Sequence, residues 1–137
     1  MNNVIRLLSR ALGRTLYVRV GRNQMRVRHI ESGREANGNL DISFSNSRLL
    51  VASSTLATDV LKTSIRAVLP NLGIAPVVIM HPLEMVEGGL SEIETKSLTD
   101  IGYAIGARQV EVIIGQELSD EEVIRVATQR FMGRLSA

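Results

Sequence analysis

The stretch from Leu16 to Ile30 constrains the fold most, because it is predicted to form a β-hairpin. Aliphatic residues alternate with polar or aromatic residues in both halves of the stretch, and this period of two is typical of strands. Between the halves, residues Gly21 to Gln24 supply the glycine and the asparagine that a tight turn favours. One face of the hairpin is therefore expected to be aliphatic.

The second face of this hairpin is basic. It carries Tyr17, Arg19, Arg26 and Arg28, and Arg22 lies in the turn. The four arginines are candidate residues for binding an anion or a partner, because guanidinium groups pair with phosphate and carboxylate oxygens. Tyr17 is the only aromatic residue predicted on this face, so a stacking platform for nucleic-acid bases is not expected.

The charge of the chain is unevenly distributed. Residues 1–36 contain eight arginines and two glutamates, although the whole chain has a net charge of only +2. A basic segment of this kind attracts an anionic partner, which can be lipid, nucleic acid or an acidic protein surface. The alternative is that charge serving solubility happens to cluster there.

Composition indicates a single folded globular domain with an aliphatic core. The chain has 137 residues, 45% of them hydrophobic, with two Phe, two Tyr and no Trp, which is enough to bury a core. Because there is no Cys, no disulfide or thiolate zinc site is expected, and a cytoplasmic location is favoured. His29 and His81 are too far apart in sequence to suggest a metal cluster, so both are expected to be packed or half-exposed residues. No apolar run is long enough to span a bilayer, and no secretory signal is recognised.

The N-terminal segment, residues 1–13, is predicted to be an amphipathic helix that precedes a single domain at residues 14–137. Such a helix can lie in a membrane interface, or it can dock on its own domain or on a second copy. The candidate residues for contact with a membrane or a partner are Val4, Ile5, Leu8 and Leu12 on the apolar face and Arg6 and Arg10 on the polar face.

After the hairpin, residues Glu31–Asn39 are predicted to be a polar turn region. Alternation then predicts a third strand at Leu40–Phe44, and the apolar run Leu49–Ala52 could continue the sheet. Ser53, Ser54 and Thr55 are candidate N-caps of a helix that ends at Pro70. The predicted buried stripe of this helix consists of Leu56, Val60, Leu61, Ile65 and Val68.

The remainder alternates strands with helices. The run Val77–Met80 is predicted to be a central parallel strand, because it is continuously apolar. A capping box begins a helix at Ser91 that Gly106 can close, a strand follows at Val110–Ile114, and a second capping box at Ser119–Glu122 begins the last helix. The predicted order is α-β-β-β-α-β-α-β-α, an α/β layer fold built on a mixed sheet.

This order resembles the first half of the actin, Hsp70 and sugar-kinase superfamily, whose subdomains have a ribonuclease-H-like fold. The likeness is greatest to the MreB family of bacterial actins and weaker to PilM. It is carried by the stretch Ile79–Ile114, in which Gly89-Leu90-Ser91-Glu92-Ile93-Glu94 is similar to the MreB helix start and Gly106-Ala107-Arg108-Gln109-Val110 to its helix-to-strand junction. The N-terminal helix is similar to the membrane-binding segment of some MreB proteins.

Three departures from the family bear on activity. The family has an Asp near the end of its first strand, whereas this chain has Arg19, which removes a ligand for a hard cation. The family's water-activating carboxylates follow the strand that corresponds to Val110–Ile114, where this chain has Gly115–Ser119 with Glu117 as the one acid. The second phosphate loop and the adenosine motif are not found either.

The resemblance therefore implies a non-catalytic, MreB-like scaffold or regulator that works by protein–protein contact. No catalytic residue, metal or cofactor is expected, and the partners are expected to be a second copy or a cytoskeletal or pilus-type assembly. Its location is expected to be cytoplasmic, at the inner face of the membrane. Two alternatives stay open: an ATPase subunit that completes its nucleotide cleft by oligomerisation, and an anion- or nucleic-acid-binding module that uses the arginines of the hairpin.

Overall fold

Three consecutive strands are followed by helices that alternate with two further strands in the computed structural model, which describes residues 14–38, 44–45, 49, 51–69, 75–84 and 86–136. The N-terminal helix predicted for residues 1–13 lies outside these ranges. The elements are β1 (Thr15–Gly21), β2 (Gln24–His29), β3 (Arg34–Asn37), α1 (Ser54–Val68), β4 (Val77–Pro82), α2 (Glu92–Ala104), β5 (Gln109–Val112) and α3 (Asp120–Ser136).

The five strands form one mixed sheet in the order β3-β2-β1-β4-β5. β2 pairs antiparallel with both β1 and β3, whereas β1, β4 and β5 are mutually parallel. The α/β class and the mixed sheet are thus confirmed. Because three strands are parallel, their carboxyl ends lie at one edge of the sheet, which we call the carboxyl edge.

The predicted hairpin is present as β1 and β2. Its two-residue turn is Arg22-Asn23, and Asn23 adopts a positive φ of 52°, a conformation that asparagine tolerates better than most residues. Asn23 also holds a more distant segment, because its amide donates to Ser45 Oγ at 2.9 Å and its side-chain oxygen accepts from Ser45 N at 2.7 Å. The turn therefore anchors the connection between β3 and α1.

Two helices cover the aliphatic face of the sheet. Residues of the hairpin and of β4, such as Val18, Val27 and Met80, are fully buried in one core with residues of α1 and α2. α1 begins at the N-cap Ser53, whose Oγ accepts from Leu56 N, and it ends at Val68, before Pro70 as predicted. The predicted stripe is buried except for Leu56, which is exposed in the first turn.

The opposite face of the sheet packs against α3. Val123 and Ala127 of this helix are buried with Tyr17 of β1 and Ile79 of β4. β4 is therefore buried on both faces, as its continuous apolar run predicted. The result is a three-layer arrangement with α1 and α2 on one face and α3 on the other.

Both predicted capping boxes are present. Ser91 Oγ accepts from Glu94 N at 3.2 Å, while the Glu94 carboxylate accepts from Ser91 N at 3.4 Å. The same reciprocal bonds, of 3.3 Å and 3.0 Å, join Ser119 and Glu122 before α3. Such bonds satisfy two donors that a helix start would otherwise leave free. Gly106 follows α2 with a φ of +95°, as a closing glycine should.

A strand is present where a polar turn region was predicted. This strand is β3. The turn that leads into it from β2 ends at Gly33, whose φ is +75°. β3 is an edge strand with mostly exposed side chains, so it lacks the hydrophobic alternation on which the prediction relied. Of the predicted strand, only Phe44 is described, and it is buried without strand conformation. Leu49, Val51 and Ala52 do not extend the sheet either.

The last strand is shorter than predicted. β5 ends at Val112, and Ile113 and Ile114 belong to the connection to α3. Ile114 is 57% exposed, so its apolar character does not reflect burial in a strand. We call residues 113–119 the connecting loop, since they carry the chain from β5 across the carboxyl edge to α3.

Candidate functional site at the carboxyl edge

The centre of the candidate site is a hydrogen-bonded pair formed by Tyr17 of β1 and His81 of β4, both of them buried. Tyr17 Oη lies 2.7 Å from His81 Nδ1. Both side chains also bind the connecting loop: Leu118 N donates to Tyr17 Oη at 3.0 Å, and His81 Nε2 lies 3.0 Å from the carbonyl oxygen of Gly115. The pair therefore joins two parallel strands to the loop that crosses their ends.

These contacts determine which protonation state fits the pair. A carbonyl oxygen only accepts, so Nε2 of His81 must carry the hydrogen in its contact with Gly115. Nδ1 then accepts from the hydroxyl of Tyr17, whose oxygen accepts from Leu118 N. When His81 is neutral, each of the three donors (its own Nε2, the hydroxyl of Tyr17 and Leu118 N) has an acceptor. Burial acts in the same direction, since it lowers the pKa of His81 and raises the pKa of Tyr17.

Beside this pair lies a cluster of arginines and carboxylates. Arg19 and Arg26 are directly opposite each other on β1 and β2, and like charges so placed repel. Glu117 of the connecting loop lies between them: it forms an ion pair with Arg26, and its Oε2 is 3.6 Å from Arg19 Nη1. Arg19 also pairs with Glu35 of β3. The carboxylates thus offset a repulsion that the register of the hairpin creates.

Arg19 is the buried member of this cluster, with a side chain only 8% exposed. Its guanidinium carbon lies 5.3 Å from the centre of the Tyr17 ring, a distance suited to a cation–π contact. Its Nε is buried without a hydrogen-bond partner. Burial, followed by the charge of Arg26, lowers the pKa of Arg19, although a guanidinium stays charged at physiological pH.

Arg28 attaches the start of α3 to the hairpin. Its Nε and Nη2 donate to the two carboxylate oxygens of Asp120 at 2.7 Å and 2.9 Å, and its Nη1 donates to the carbonyl of Gly33 at 3.1 Å. The hydrogen bond to Asp120 is the main reason that the pKa of Arg28 is raised. Such two-pronged pairing fixes orientation as well as charge.

The structure brings together three of the four predicted arginines. Arg19, Arg26 and Arg28 lie on one face and pair with carboxylates of this chain, whereas Arg22 is exposed in the turn. The other predicted contact residues lie outside the described residues: Val4, Ile5, Arg6, Leu8, Arg10 and Leu12. Sequence reasoning missed Glu35, Asp120 and the pairing of Tyr17 with His81.

Two further observations concern the part of the chain that is described. Within it, no cluster of three or more histidine, aspartate or glutamate side chains is arranged to hold a metal ion. The same residues contain no helix that is long and apolar enough to cross a membrane.

An apolar groove lies on the other side of the molecule, beside the first turns of α2. Its hollow measures about 50 Å³, and the side chain of Ile93 at its rim is 79% exposed. Leu98, at its base, belongs to the main core. The lining residues are Leu49, Val51, Leu90, Ile93, Glu94, Ser97 and Leu98.

Comparison with known proteins identifies a relative of this chain. No protein-family model matches the chain. The chain is 38% identical over 93 residues to an uncharacterized protein of Escherichia coli strain K12, YjaA, and this similarity covers 63% of the chain and 72% of that protein.

Proposed function

We propose that this chain, which belongs to the family of the Escherichia coli protein YjaA, is a non-catalytic scaffold or regulator that works by protein–protein contact. We also propose that its fold is ribonuclease-H-like, as in MreB. The strand order β3-β2-β1-β4-β5, with β2 antiparallel to β1 and helices following β3, β4 and β5, supports the second proposal. The location at the inner face of the membrane stays a prediction from residues 1–13.

The non-catalytic part of the proposal is supported by Arg19. A carboxylate at this position would serve as a ligand for a hydrated metal ion, whereas a guanidinium cannot. Arg19 is engaged with Glu35, Glu117 and the ring of Tyr17. These contacts fill the carboxyl edge, where open α/β sheets usually bind their ligands, with side chains of the protein itself.

The observation that carries the proposal is the apolar groove beside α2. Singly exposed aliphatic side chains are normal on protein surfaces, whereas a group of them around one hollow suits contact with an apolar side chain of a partner. Among the large hydrophobic residues whose side chains are described, Ile93 is the most exposed. It lies in the first turn of a helix that begins with the capping box of Ser91 and Glu94. The groove is thus rigid on one side and apolar, which suits an aliphatic side chain of a partner.

A second copy of the chain is the proposed occupant, because Ile93 is itself an exposed aliphatic side chain beside the hollow. We expect Ile93→Asp to weaken self-association at least tenfold, since a carboxylate would have to be desolvated at the contact. Sedimentation equilibrium over a range of protein concentrations measures this. Ile114→Asp is the matched control, because Ile114 is also exposed but lies on the connecting loop. Equal weakening by both substitutions, or a wild-type protein that stays monomeric throughout, would contradict the proposal.

The alternative of a nucleotide-binding ATPase subunit is tested separately. Titration calorimetry of the protein with ATP and Mg²⁺ is expected to give only the heat of dilution, because Arg19 takes the place of the metal-binding carboxylate. Thermal unfolding with and without the nucleotide should likewise coincide. Saturable heat with one site per chain, accompanied by a rise in the melting temperature, would instead favour the ATPase alternative.

A further inference from the structure

We infer that Arg19 and Arg26 form an oxyanion-binding site that the chain fills with its own Glu117. The carboxylate of Glu117 stands in for the carboxylate or phosphate group of an external ligand. This inference does not depend on the groove beside α2, which lies on other elements. It rests on a difference within the cluster: Arg19 is buried and fixed in position, whereas Glu117 is partly exposed and lies on a loop.

The cationic part of the site is fixed by the fold. Arg19 is nearly buried, and its guanidinium lies over the ring of Tyr17, which is itself held by His81 and by Leu118 N. Its Nε is buried with no partner, so one donor of this guanidinium is unused. Preorganised, partly desolvated donors bind an anion more strongly than solvated ones, because little ordering or dehydration remains to be done.

The carboxylate part is held less firmly. The side chain of Glu117 is 45% exposed, and it lies on the connecting loop, which has no regular secondary structure. Its contact with Arg19 is long, at 3.6 Å. Ion pairs with exposed partners contribute little to stability. Glu117 can therefore be replaced without unfolding the sheet, whereas Arg19 cannot.

The position of the site and the chemistry of its two guanidinium groups specify the class of ligand. The site lies at the carboxyl edge, the usual position of ligand sites in open α/β sheets. Two guanidinium groups that converge on one carboxylate suit a planar or tetrahedral oxyanion. Since Glu117 belongs to the same chain, it competes at a high effective concentration, and an external anion must displace it. The wild-type site is consequently self-inhibited.

The test removes the internal ligand without removing the site. In Glu117→Gln, inorganic phosphate or glutarate, titrated at constant ionic strength, should bind at least tenfold more tightly than to the wild type. Chemical shifts of the arginine Nε–H groups in ¹⁵N NMR report the binding, and far-ultraviolet circular dichroism confirms the fold. Glu121→Gln is the matched control, because it changes the charge equally on an exposed residue of α3 that pairs with Arg125.

The double variant Glu117→Gln/Arg26→Gln should lose the added affinity, and Arg26 is exposed enough for this change to be tolerated. If only phosphate binds more tightly, the site is assigned to phosphate groups. If only glutarate binds more tightly, it is assigned to carboxylates. The inference is overturned if Glu117→Gln binds neither anion more tightly than Glu121→Gln does. It is also overturned if the double variant retains the gain.

Discussion

Replacing Arg19 by aspartate is expected to lower the free energy of unfolding by about 3–5 kcal/mol, the range found when a buried charge loses its partners. The new carboxylate would lie in a position where the native side chain is almost entirely buried, and it would face Glu35 and Glu117 instead of pairing with them. Arg26 lies directly opposite this position on β2, but one exposed guanidinium would offset only part of the repulsion among three carboxylates. Chemical denaturation with urea measures the difference.

The matched control for this substitution is Arg22→Asp, which makes the same change in charge in the exposed turn of the hairpin. Its effect should lie within about 0.5 kcal/mol, as is usual for surface positions. If Arg19→Asp were as stable as Arg22→Asp, then Arg19 would not be the buried centre of the cluster. A carboxylate at this position would then be compatible with the present fold.

Much of the fold could be predicted because local patterns coincide with burial. The hairpin has one aliphatic face, β4 is apolar throughout, and two Ser-x-x-Glu sequences begin helices where they should. β3 could not be predicted in the same way, because an exposed edge strand is specified by its backbone pairing with β2 and not by hydrophobic periodicity. The strand predicted to end at Ile114 was too long for the opposite reason. Ile113 and Ile114 are apolar, but they are partly exposed and lie after the end of β5.

Only one half of the candidate site, its arginines, could be predicted from the sequence. Alternation placed the arginines on one face of the hairpin, but it gave no information about their partners. Arg26 and Glu117 are separated by 91 positions in sequence, and Arg28 and Asp120 by 92. Such pairs form only when the connecting loop and α3 fold back over the sheet. One general signal was available, because two arginines directly opposite each other on paired strands need nearby carboxylates.

Lowering the pH from 7.5 to 5 is expected to destabilise the protein through His81. Because burial lowers the pKa of His81 in the folded protein below its ordinary value of about 6.5, the unfolded chain binds a proton first as the pH falls. The free energy of unfolding should therefore be fully retained above pH 6.5. Below it, the loss should be about 1.4 kcal/mol per pH unit until the folded protein also titrates.

The structural reason is the hydrogen-bonding pattern around the imidazole. A proton on Nδ1 would turn that atom from an acceptor into a donor, so the hydroxyl hydrogen of Tyr17 would lose its acceptor in a buried place. The charged groups that face His81 do not prevent this, since Glu117, which favours the protonated form, is already engaged by Arg26. The pKa of Glu117 is itself lowered, chiefly by its hydrogen bond to Arg26, so this carboxylate titrates below the pH range considered.

The two histidines of the chain provide the control. His29→Gln should keep the loss of stability between pH 6.5 and 5, because His29 contacts Ser32 and Glu31 at the other end of the hairpin. His81→Gln should be less stable at pH 7.5 and should show a much smaller pH dependence, since the titrating group is gone. Thermal and urea unfolding of both variants at several pH values distinguish these results. If His81→Gln kept the slope of the wild type and His29→Gln lost it, then the buried pair of Tyr17 and His81 would not be the acid-sensitive element that joins the connecting loop to the sheet.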